Sequence, residues 1–212
     1  MYVKELWRYP VKSLAGERMT QVSVGELGFE GDRLIHVQGD GGRLITSRTH
    51  PQLLSLKGTL DAEGRALING KSWGSPEALT LVKAVAGRQA RLTYYDGPER
   101  FDVLPLSLAT DGAIEYMSFD GRRLRPNIVI GGVEGLAERT WPRRNLRIGN
   151  LSVYAQRLRP RCVMTTWDPD TQKQDITVLK RIVKELDGEM SLDCSVTEAG
   201  TIREGDRVEL IA

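Results

Sequence analysis

Short stretches of alternating apolar and polar residues run through the first half of the chain. VKELWRY and MTQVSVGEL alternate in this way, and RLIHV and RLITS flank the glycine-rich QGDGG as two arms of a predicted hairpin. Asn69-Gly70 is a tight-turn signal inside a predicted meander that runs from LLSLKGTL through RALI to KSW. LTLVKAV and ARLTYY are predicted to add two further strands. So many short strands at close spacing favour a barrel or a sandwich.

Two later segments have helical patterns instead. Thr110 precedes DGAIEYMS and is the predicted N-cap of a short helix. In DITVLKRIVKELDG, Asp175 is the predicted cap and Gly188 the predicted terminator, and one face carries apolar residues at helical spacing: Leu179, Ile182, Val183 and Leu186. NIVIGG and NLRIGNLSVYAQRL are predicted strands, and DCSVTEAGTIREGDRVELIA is predicted to close the chain as a hairpin. The pattern therefore predicts a mainly β fold with a few short helices.

The proline- and glycine-containing YDGPERFD, near residues 95 to 102, is the best candidate for a boundary between two modules. It is too short to act as a flexible linker. We therefore expect an N-terminal β-rich module over residues 1–95 and a second module over 96–212, closely packed together.

Composition excludes several classes of protein. The chain has 212 residues and a formal net charge of +2, whereas a dedicated nucleic-acid binder usually has a clear basic excess. We find no apolar run long enough to span a bilayer, and MYVKELWRYPVKS lacks the pattern of a signal peptide. We therefore expect a cytoplasmic protein with reduced cysteines, a small-molecule substrate, and neither nucleic acid nor membrane as a partner. Two cysteines are too few for an iron–sulfur cluster held by four thiolates.

Polar clusters lie at predicted strand ends and turns, where sites are commonly built. Arginine forks and lysine in these clusters suit phosphate recognition. The alternative is that Asp32 and Arg33 form a solvated turn and that the arginine runs are solvated faces. The clusters are YPVKS (Lys12, Ser13), GFEGDR (Asp32, Arg33), TSRTHP (Thr46, Arg48, His50), RLRPN (Arg123, Arg125, Asn127) and the cysteine-containing RPRCVMTTWDPDT.

Cys162 in the last cluster has three open interpretations. It is a buried structural thiol, a reactive thiolate favoured by the charges of Arg159 and Arg161, or a ligand of a soft metal. A cysteine–histidine hydrolase with His36 or His50 as base is not favoured, because no helix-opening nucleophile signature surrounds Cys162. A zinc site is not expected, because the cysteines and histidines of the chain lack the paired spacing of zinc ligands. Cys194, in the alternating LDCSV, is predicted to be a packing residue.

The order of these stretches resembles the MOSC family, whose domains are related to the C-terminal part of molybdenum cofactor sulfurases. YPVKS, GFEGDR and TSRTHP resemble motifs of the family's N-terminal β-barrel module. RLRPNIVIGG, AERTW, RPRCVMTTWDPDT and GTIREGDRVEL resemble motifs of the MOSC module. The resemblance covers nearly the whole chain and is nearest to the branch that contains the mitochondrial amidoxime reducing component. It implies a MOSC-type β-barrel packed with an N-terminal β-rich module.

The resemblance also implies roles for individual residues. In that family the cysteine supplies a thiolate to molybdenum, so Cys162 is implied to be the metal ligand and the catalytic residue. Thr165 and Thr166 are expected to shape its loop. Charged and polar groups are implied to hold the phosphate and pterin of a molybdenum cofactor (molybdopterin), namely Lys12, Ser13, Arg33, Arg48, Thr110, Arg125, Asn127 and Arg161.

The implied activity is the reduction of N-hydroxylated substrates such as amidoximes, with electrons from a separate reductase. Two alternatives stay open. One is a non-catalytic module that carries or binds the cofactor or its sulfur, and the other is a β-rich binding domain with a structural cysteine. Three departures from the family pattern bear on the site: Arg139 replaces an acid, Gln172 replaces a glycine after DPDT, and Asp193 stands where relatives often carry an aromatic residue.

Overall fold

A computed structural model describes residues 1–211 and confirms a mainly β fold. Seventeen strands occur within these residues: β1 Tyr2–Arg8, β2 Glu17–Met19, β3 Gln21–Gly25, β4 Gly28–Phe29, β5 Ile35–Gln38, β6 Leu44–Ile45, β7 Gly58–Leu60, β8 Ala66–Ile68, β9 Lys71–Ser72, β10 Arg91–Tyr94, β11 Leu106–Thr110, β12 Ile128–Gly131, β13 Arg144–Ile148, β14 Leu151–Pro160, β15 Glu189–Glu198, β16 Gly200–Arg203 and β17 Val208–Ile211. The same residues form three α-helices: α1 Pro76–Ala86, α2 Asp111–Met117 and α3 Ile176–Leu186. Short 3₁₀ helices are Asp40–Gly42, Pro51–Ser55, Pro98–Arg100, Gly121–Leu124, Ala137–Thr140 and Val163–Thr166.

An eight-stranded sheet organises the molecule, in the order β17-β13-β14-β15-β11-β12-β1-β2. Its strands pair antiparallel except β11 and β12, which are parallel. A parallel pair needs a crossover connection, and α2 lies in the segment that joins β11 to β12. Three smaller three-stranded sheets, β10-β5-β6, β16-β3-β4 and β7-β8-β9, surround it.

The first part of the chain contributes strands to the main sheet. β1 pairs with β12, and β3 pairs with β16, so strands before residue 26 join strands after residue 127. One core cluster combines side chains from both regions, including Leu6 and Phe29 with Leu106 and Leu192. A second cluster draws its buried members from residues 11 to 90 and includes the inner face of α1. The division into modules near residues 95 to 102 stays a prediction.

Two predicted elements are wrong. The apolar LTLVKAV is predicted to be a strand but lies in α1, where the buried residues are Ala78, Val82 and Ala86 at four-residue spacing. Ser75 caps this helix by accepting a hydrogen bond from the Ala78 amide, and Pro76 occupies its first turn. The predicted C-terminal hairpin does not form either, because β16 pairs with β3 and β17 pairs with β13.

The two predicted helices are confirmed. Thr110 caps α2 through its side chain, and Asp175 caps α3. Gly188 ends α3, with its amide donating to the Ile182 carbonyl at 3.1 Å. The inner face of α3 consists of Val178, Ile182 and Leu186, whereas Val183 is 56% exposed and does not belong to it. No helix within residues 1–211 is long and apolar enough to cross a membrane.

Candidate functional site

A strongly basic cavity of about 300 Å³ lies where the first 50 residues meet β11, β14 and the RLRPN segment. The exposed thiol of Cys162 is part of its wall. Asp102 is the one carboxylate in the lining, against eight basic side chains: Lys12, Arg33, Arg48, Arg123, Arg125, Arg157, Arg159 and Arg161. Low-dielectric walls that carry one sign of charge concentrate the field, so the cavity favours an anionic ligand.

The Cys162 loop follows directly from β14 and is shaped by two buried threonines. The Thr165 hydroxyl donates to the Cys162 carbonyl at 2.9 Å, and the Thr166 hydroxyl donates to the Val163 carbonyl at 2.7 Å. These bonds hold the 3₁₀ turn Val163–Thr166 just after the cysteine. The threonines therefore shape the loop as expected, and the interpretation of Cys162 as a buried structural thiol is wrong.

Two arginines join the Cys162 loop to the RLRPN segment. Arg161 Nη2 donates to the Leu124 carbonyl at 2.7 Å. In the opposite direction, Arg123 Nη1 donates to the Thr166 carbonyl at 3.1 Å and Arg123 Nη2 to Asp168 Oδ2 at 3.0 Å. The thiol is thus held between two segments that are well separated in the sequence.

Arg161 keeps part of its guanidinium unpaired. Its Nε and Nη1 atoms are buried and lack a hydrogen-bond partner within the described part of the chain. Burial, together with the neighbouring charge of Arg159, lowers the pKa of Arg161 to about 9. Buried donors are seldom left unpaired in folded proteins, so these two nitrogens are suited to donate to oxygen or nitrogen acceptors of a ligand.

Lys12 and Arg48 meet at Asp102 in the cavity wall. Lys12 Nζ lies 2.8 Å from Asp102 Oδ1, and Arg48 Nη2 lies 2.7 Å from Asp102 Oδ2. Burial by itself would raise the pKa of Asp102, but the hydrogen bond and charge of Lys12 bring it below the usual range. Burial lowers the pKa of Lys12. Ser13 is buried in the lining beside it, with a φ of 73°.

Asp32 is fully buried behind the cavity wall, where it contacts the lining residues Arg33 and Asn127. Its carboxylate accepts the Tyr9 amide at 2.7 Å and Asn127 Nδ2 at 3.1 Å, and it pairs with Arg33. The interpretation of Asp32 and Arg33 as a solvated turn is therefore wrong. The Arg125 guanidinium lies over the Tyr9 ring, 4.2 Å from its centroid, and burial lowers the pKa of Arg125 to about 10.

Asn127 lines the cavity, but its amide already has protein partners. Its Oδ1 accepts the Ser107 amide at 3.2 Å, and its Nδ2 donates to the Trp7 carbonyl at 3.3 Å as well as to Asp32. A contact between this amide and a pterin would have to replace one of these bonds. The Ser107 hydroxyl, also in the lining, is buried and without a hydrogen-bond partner within residues 1–211.

Thr110 lies apart from the other predicted site residues. It is not in the cavity lining, and its buried hydroxyl donates to Glu138 Oε2 at 3.0 Å and accepts the Ala113 amide at 3.3 Å. The hydroxyl is therefore occupied as a helix cap. A phosphate contact at Thr110 would have to come from backbone N–H groups outside this cavity, and it stays a prediction. Glu138 is itself buried, and burial raises its pKa.

Neither histidine reaches the cavity. The buried His36 ring stacks on Tyr95 with centroids 4.4 Å apart, and burial lowers the pKa of His36 to about 4. His50 Nδ1 lies 2.9 Å from the Thr49 hydroxyl, and neither ring is part of the wall that holds Cys162. The cysteine–histidine hydrolase therefore lacks its base. Cys194 is buried in the main core, as predicted, and burial raises the pKa of its thiol.

The departures from the family pattern are each accommodated by local bonds. Gln172 takes the left-handed conformation, with a φ of 54°, and its amide donates to the Asp168 carbonyl at 3.0 Å, which closes the turn. Arg139 Nη1 donates to the carbonyls of Leu186 and Glu189, at 3.3 and 3.0 Å. Asp193 is fully buried and pairs with arginines of the cavity wall.

Asp102, Ser107 and Arg157 are polar residues of this site that sequence reasoning missed. Asp102 lies in the stretch that is predicted to be a module boundary, and nothing local marks it as the partner of Lys12, which is 90 positions earlier. Ser107 occupies a buried strand, where a lone serine has no distinguishing pattern. Ser107 is brought to the cavity only when β11 is placed beside β12 and β15, and Asp102 only when Lys12 and Arg48 are folded against it.

Family models match almost the entire chain. The MOSC N-terminal beta barrel domain matches residues 1–93, and the MOSC domain matches residues 106–209. Mitochondrial amidoxime reducing component 2 of Homo sapiens is 26% identical, with 97% of this chain and 82% of that protein covered. Mitochondrial amidoxime-reducing component 1 of Homo sapiens is 23% identical, with 99% and 82% covered.

A solved structure supports the fold. The YUAD protein from Bacillus subtilis aligns with a TM-score of 0.53 at 12% sequence identity, and the alignment covers 99% of this chain and 94% of that one. At this identity the similarity concerns the fold alone. Together with the two consecutive domain matches, which span residues 1–93 and 106–209, it agrees with the mainly β architecture. The chain belongs to the MOSC family, with a MOSC N-terminal beta barrel domain followed by a MOSC domain.

Proposed function

We propose that this protein is a molybdenum-cofactor-dependent oxidoreductase that reduces N-hydroxylated substrates. The observation that carries the proposal is an exposed cysteine thiol in the wall of a cavity with eight basic side chains. The amidoxime reducing components, which are similar over nearly the whole chain, support the reaction class at the level of the family.

The residues present suit such a cofactor. A soft thiolate is an appropriate donor for a metal that is also bound by sulfur, and Cys162 is the thiol at the cavity. A phosphate group needs charge-assisted donors, which are abundant in the wall. The unpaired buried atoms of Arg161 and Ser107 need acceptors, which a phosphorylated heterocycle would provide. The groups that would hold it are Lys12, Ser13, Arg33, Arg48, Arg125, Asn127 and Arg161 around Cys162.

The chemistry divides between the cofactor and the chain. Bound molybdenum would supply two-electron redox chemistry. The overall reaction breaks the N–O bond of the substrate, consumes two electrons and two protons, and releases water together with the N–H product. The chain's part is to hold the cofactor's anionic groups, to present Cys162 on a fixed loop, and to bind the substrate beside it.

Electrons in this proposal come from a separate reductase. The sequence has no dinucleotide-binding glycine fingerprint between a strand and a helix, and two cysteines cannot hold a four-thiolate iron–sulfur cluster. The chain therefore offers no recognised entry point for electrons from NADH.

The test uses cofactor-loaded protein and benzamidoxime, a simple aromatic amidoxime. We expect amidine to form with reduced viologen as the electron source and not with NADH alone. Turnover with NADH and no partner would contradict the requirement for a reductase. If cofactor is bound but no N-hydroxylated compound is reduced with viologen, the non-catalytic carrier is the better description.

A further inference from the structure

A buried carboxylate holds two arginines on the cavity wall near Cys162. Asp193 in β15 is fully buried and forms ion pairs with Arg159 and Arg157 in β14. Arg157 Nε lies 3.5 Å from Asp193 Oδ2, and Arg159 Nη1 contacts Asp193 Oδ1. Both arginines line the cavity that contains the thiol. This trio has no role in the proposed cofactor contacts.

Both guanidinium groups keep donors available. Each contacts Asp193 through one nitrogen, and their other nitrogens have no hydrogen-bond partner within residues 1–211. The Arg159 side chain is 22% exposed and that of Arg157 is 54% exposed, so Arg159 is recessed and Arg157 stands at the mouth. A guanidinium that uses one nitrogen on a carboxylate keeps two further nitrogens, which can donate to another carboxylate in a bidentate way.

The charge balance of the cavity leaves a place for a second anion. The eight basic side chains are opposed by Asp102 in the wall and by three carboxylates that pair with arginines of the wall, Asp32, Asp168 and Asp193, which leaves a net charge of 8 − 4 = +4. A phosphate monoester contributes about −1.5 to −2 at neutral pH. A Cys162 thiolate contributes one further negative charge. About one positive charge therefore remains after the phosphate and the thiolate are counted.

The position of Arg159 favours a small molecule over a protein surface. The residue is recessed in a cavity of about 300 Å³, a size at the lower end of small-molecule sites. It lies three positions before Cys162 on the same wall, so an anion bound to it would belong to the molecule that reacts beside the thiol. An acidic protein would instead meet Arg157 and the outer rim first.

We propose that Arg159, positioned by Asp193, forms with Arg157 an anion subsite that selects N-hydroxylated substrates carrying a carboxylate. The inference rests on the proposed function and specifies its substrate class. Asp193 acts as a positioning residue, since its carboxylate holds the arginines and is itself buried away from the cavity.

The experiment compares benzamidoxime with 4-carboxybenzamidoxime on cofactor-loaded protein, with reduced viologen as the electron source. For the wild type, kcat/KM is expected to be higher for the carboxylated compound. In Arg159→Gln, kcat/KM for the carboxylated compound is expected to fall about 10- to 100-fold, as expected for the loss of a charge-assisted hydrogen bond, while benzamidoxime is reduced as before. Arg147→Gln, at an exposed arginine on β13, is the matched control and should behave as the wild type.

Binding affinity and molybdenum content are two readouts that separate a substrate-anion subsite from a cofactor contact. Calorimetry should detect 4-carboxybenzamidine, the reduced product, bound to wild type more tightly than benzamidine, and this preference should disappear in Arg159→Gln. Molybdenum content should be the same in all three proteins. Asp193→Asn should weaken the preference for the carboxylate without lowering reduction of benzamidoxime.

Different failures have different meanings. If the cofactor-loaded wild type reduces neither compound, the proposed function is wrong, and the inference that rests on it is wrong as well. If both compounds are reduced and the carboxylate gives no advantage, the function stands and the anion subsite is wrong. If Arg159→Gln loses metal and both activities together, Arg159 holds the cofactor and the inference is overturned. An effect seen only with a protein electron donor would make this wall a docking surface, which also overturns it.

Discussion

Arg161 uses its guanidinium in two different ways. One nitrogen fixes the RLRPN segment through the Leu124 carbonyl, and the other two are buried without partners. Burial lowers the pKa of Arg161 to about 9 and that of Arg125 to about 10, so folding without a ligand disfavours the charged forms of both groups. A bound anion would favour the charged forms again. The metal-free protein should therefore gain stability from phosphate.

This gain can be measured as a shift in the melting temperature. At a phosphate concentration ten times Kd, binding adds about 1.4 kcal/mol to the free energy of unfolding, or about 3–6 °C for a chain of this size. The shift should be largest below about pH 9 and should decline as pH rises through the lowered pKa of Arg161.

Arg161→Gln should show a smaller shift than wild type, and sodium chloride at equal ionic strength should not reproduce the shift in either protein. Arg147→Gln removes an exposed arginine and should respond to phosphate as the wild type does. Equal shifts in wild type and Arg161→Gln would contradict the assignment of Arg161 to an anion site.

The Cys162 loop depends on bonds that cross from another segment. The 3₁₀ turn Val163–Thr166 is local, but Arg123 holds its far end through the Thr166 carbonyl and Asp168. The Arg123 side chain is only 10% exposed, so these bonds are poorly accessible to competing water. The loop is therefore held in part by an arginine that lies 39 positions before the cysteine in the sequence.

Replacing Arg123 by Gln should loosen this loop while the rest of the fold stays intact. Loss of one charge-assisted hydrogen bond is worth about 1.5 kcal/mol, so amides of the loop should exchange their hydrogens about tenfold faster. The amides of Thr165 and Asp168, bonded at 3.1 and 2.9 Å, report on it. With Arg147→Gln as control, unchanged exchange at these amides, or faster exchange throughout the molecule, would contradict the role of Arg123.

Elements with strong local signals could be predicted from the sequence. Thr110 and Asp175 mark the starts of α2 and α3, and Asn69-Gly70 marks the β8–β9 turn. Helix α1 could not be predicted from LTLVKAV, because a short apolar run has no period that distinguishes a helix from a strand. Only the preceding Ser75-Pro76 indicates a helix start. The C-terminal strands pair with β3 and β13, which are far away in the sequence, so no local pattern could reveal their partners.

The candidate site is formed by residues from both halves of the chain. Lys12 and Arg33 come from the first part of the chain, and the sheet that carries Cys162 also includes β1. Motif resemblance was sufficient to predict most of the basic wall, because those residues stand in recognisable stretches. It could not predict Asp102, Ser107 or the pairing of Asp193 with Arg159, because these depend on which strands lie side by side.

Molybdenum content, measured by mass spectrometry on wild type and Cys162→Ser from a host that makes the cofactor, tests the proposed site most directly. We predict near-stoichiometric metal in the wild type and much less in the variant, since serine removes the soft donor while the basic wall remains. Circular dichroism should show that both proteins are folded. Equal metal in both proteins would remove Cys162 from the metal site, and no metal in either would contradict the cofactor proposal itself.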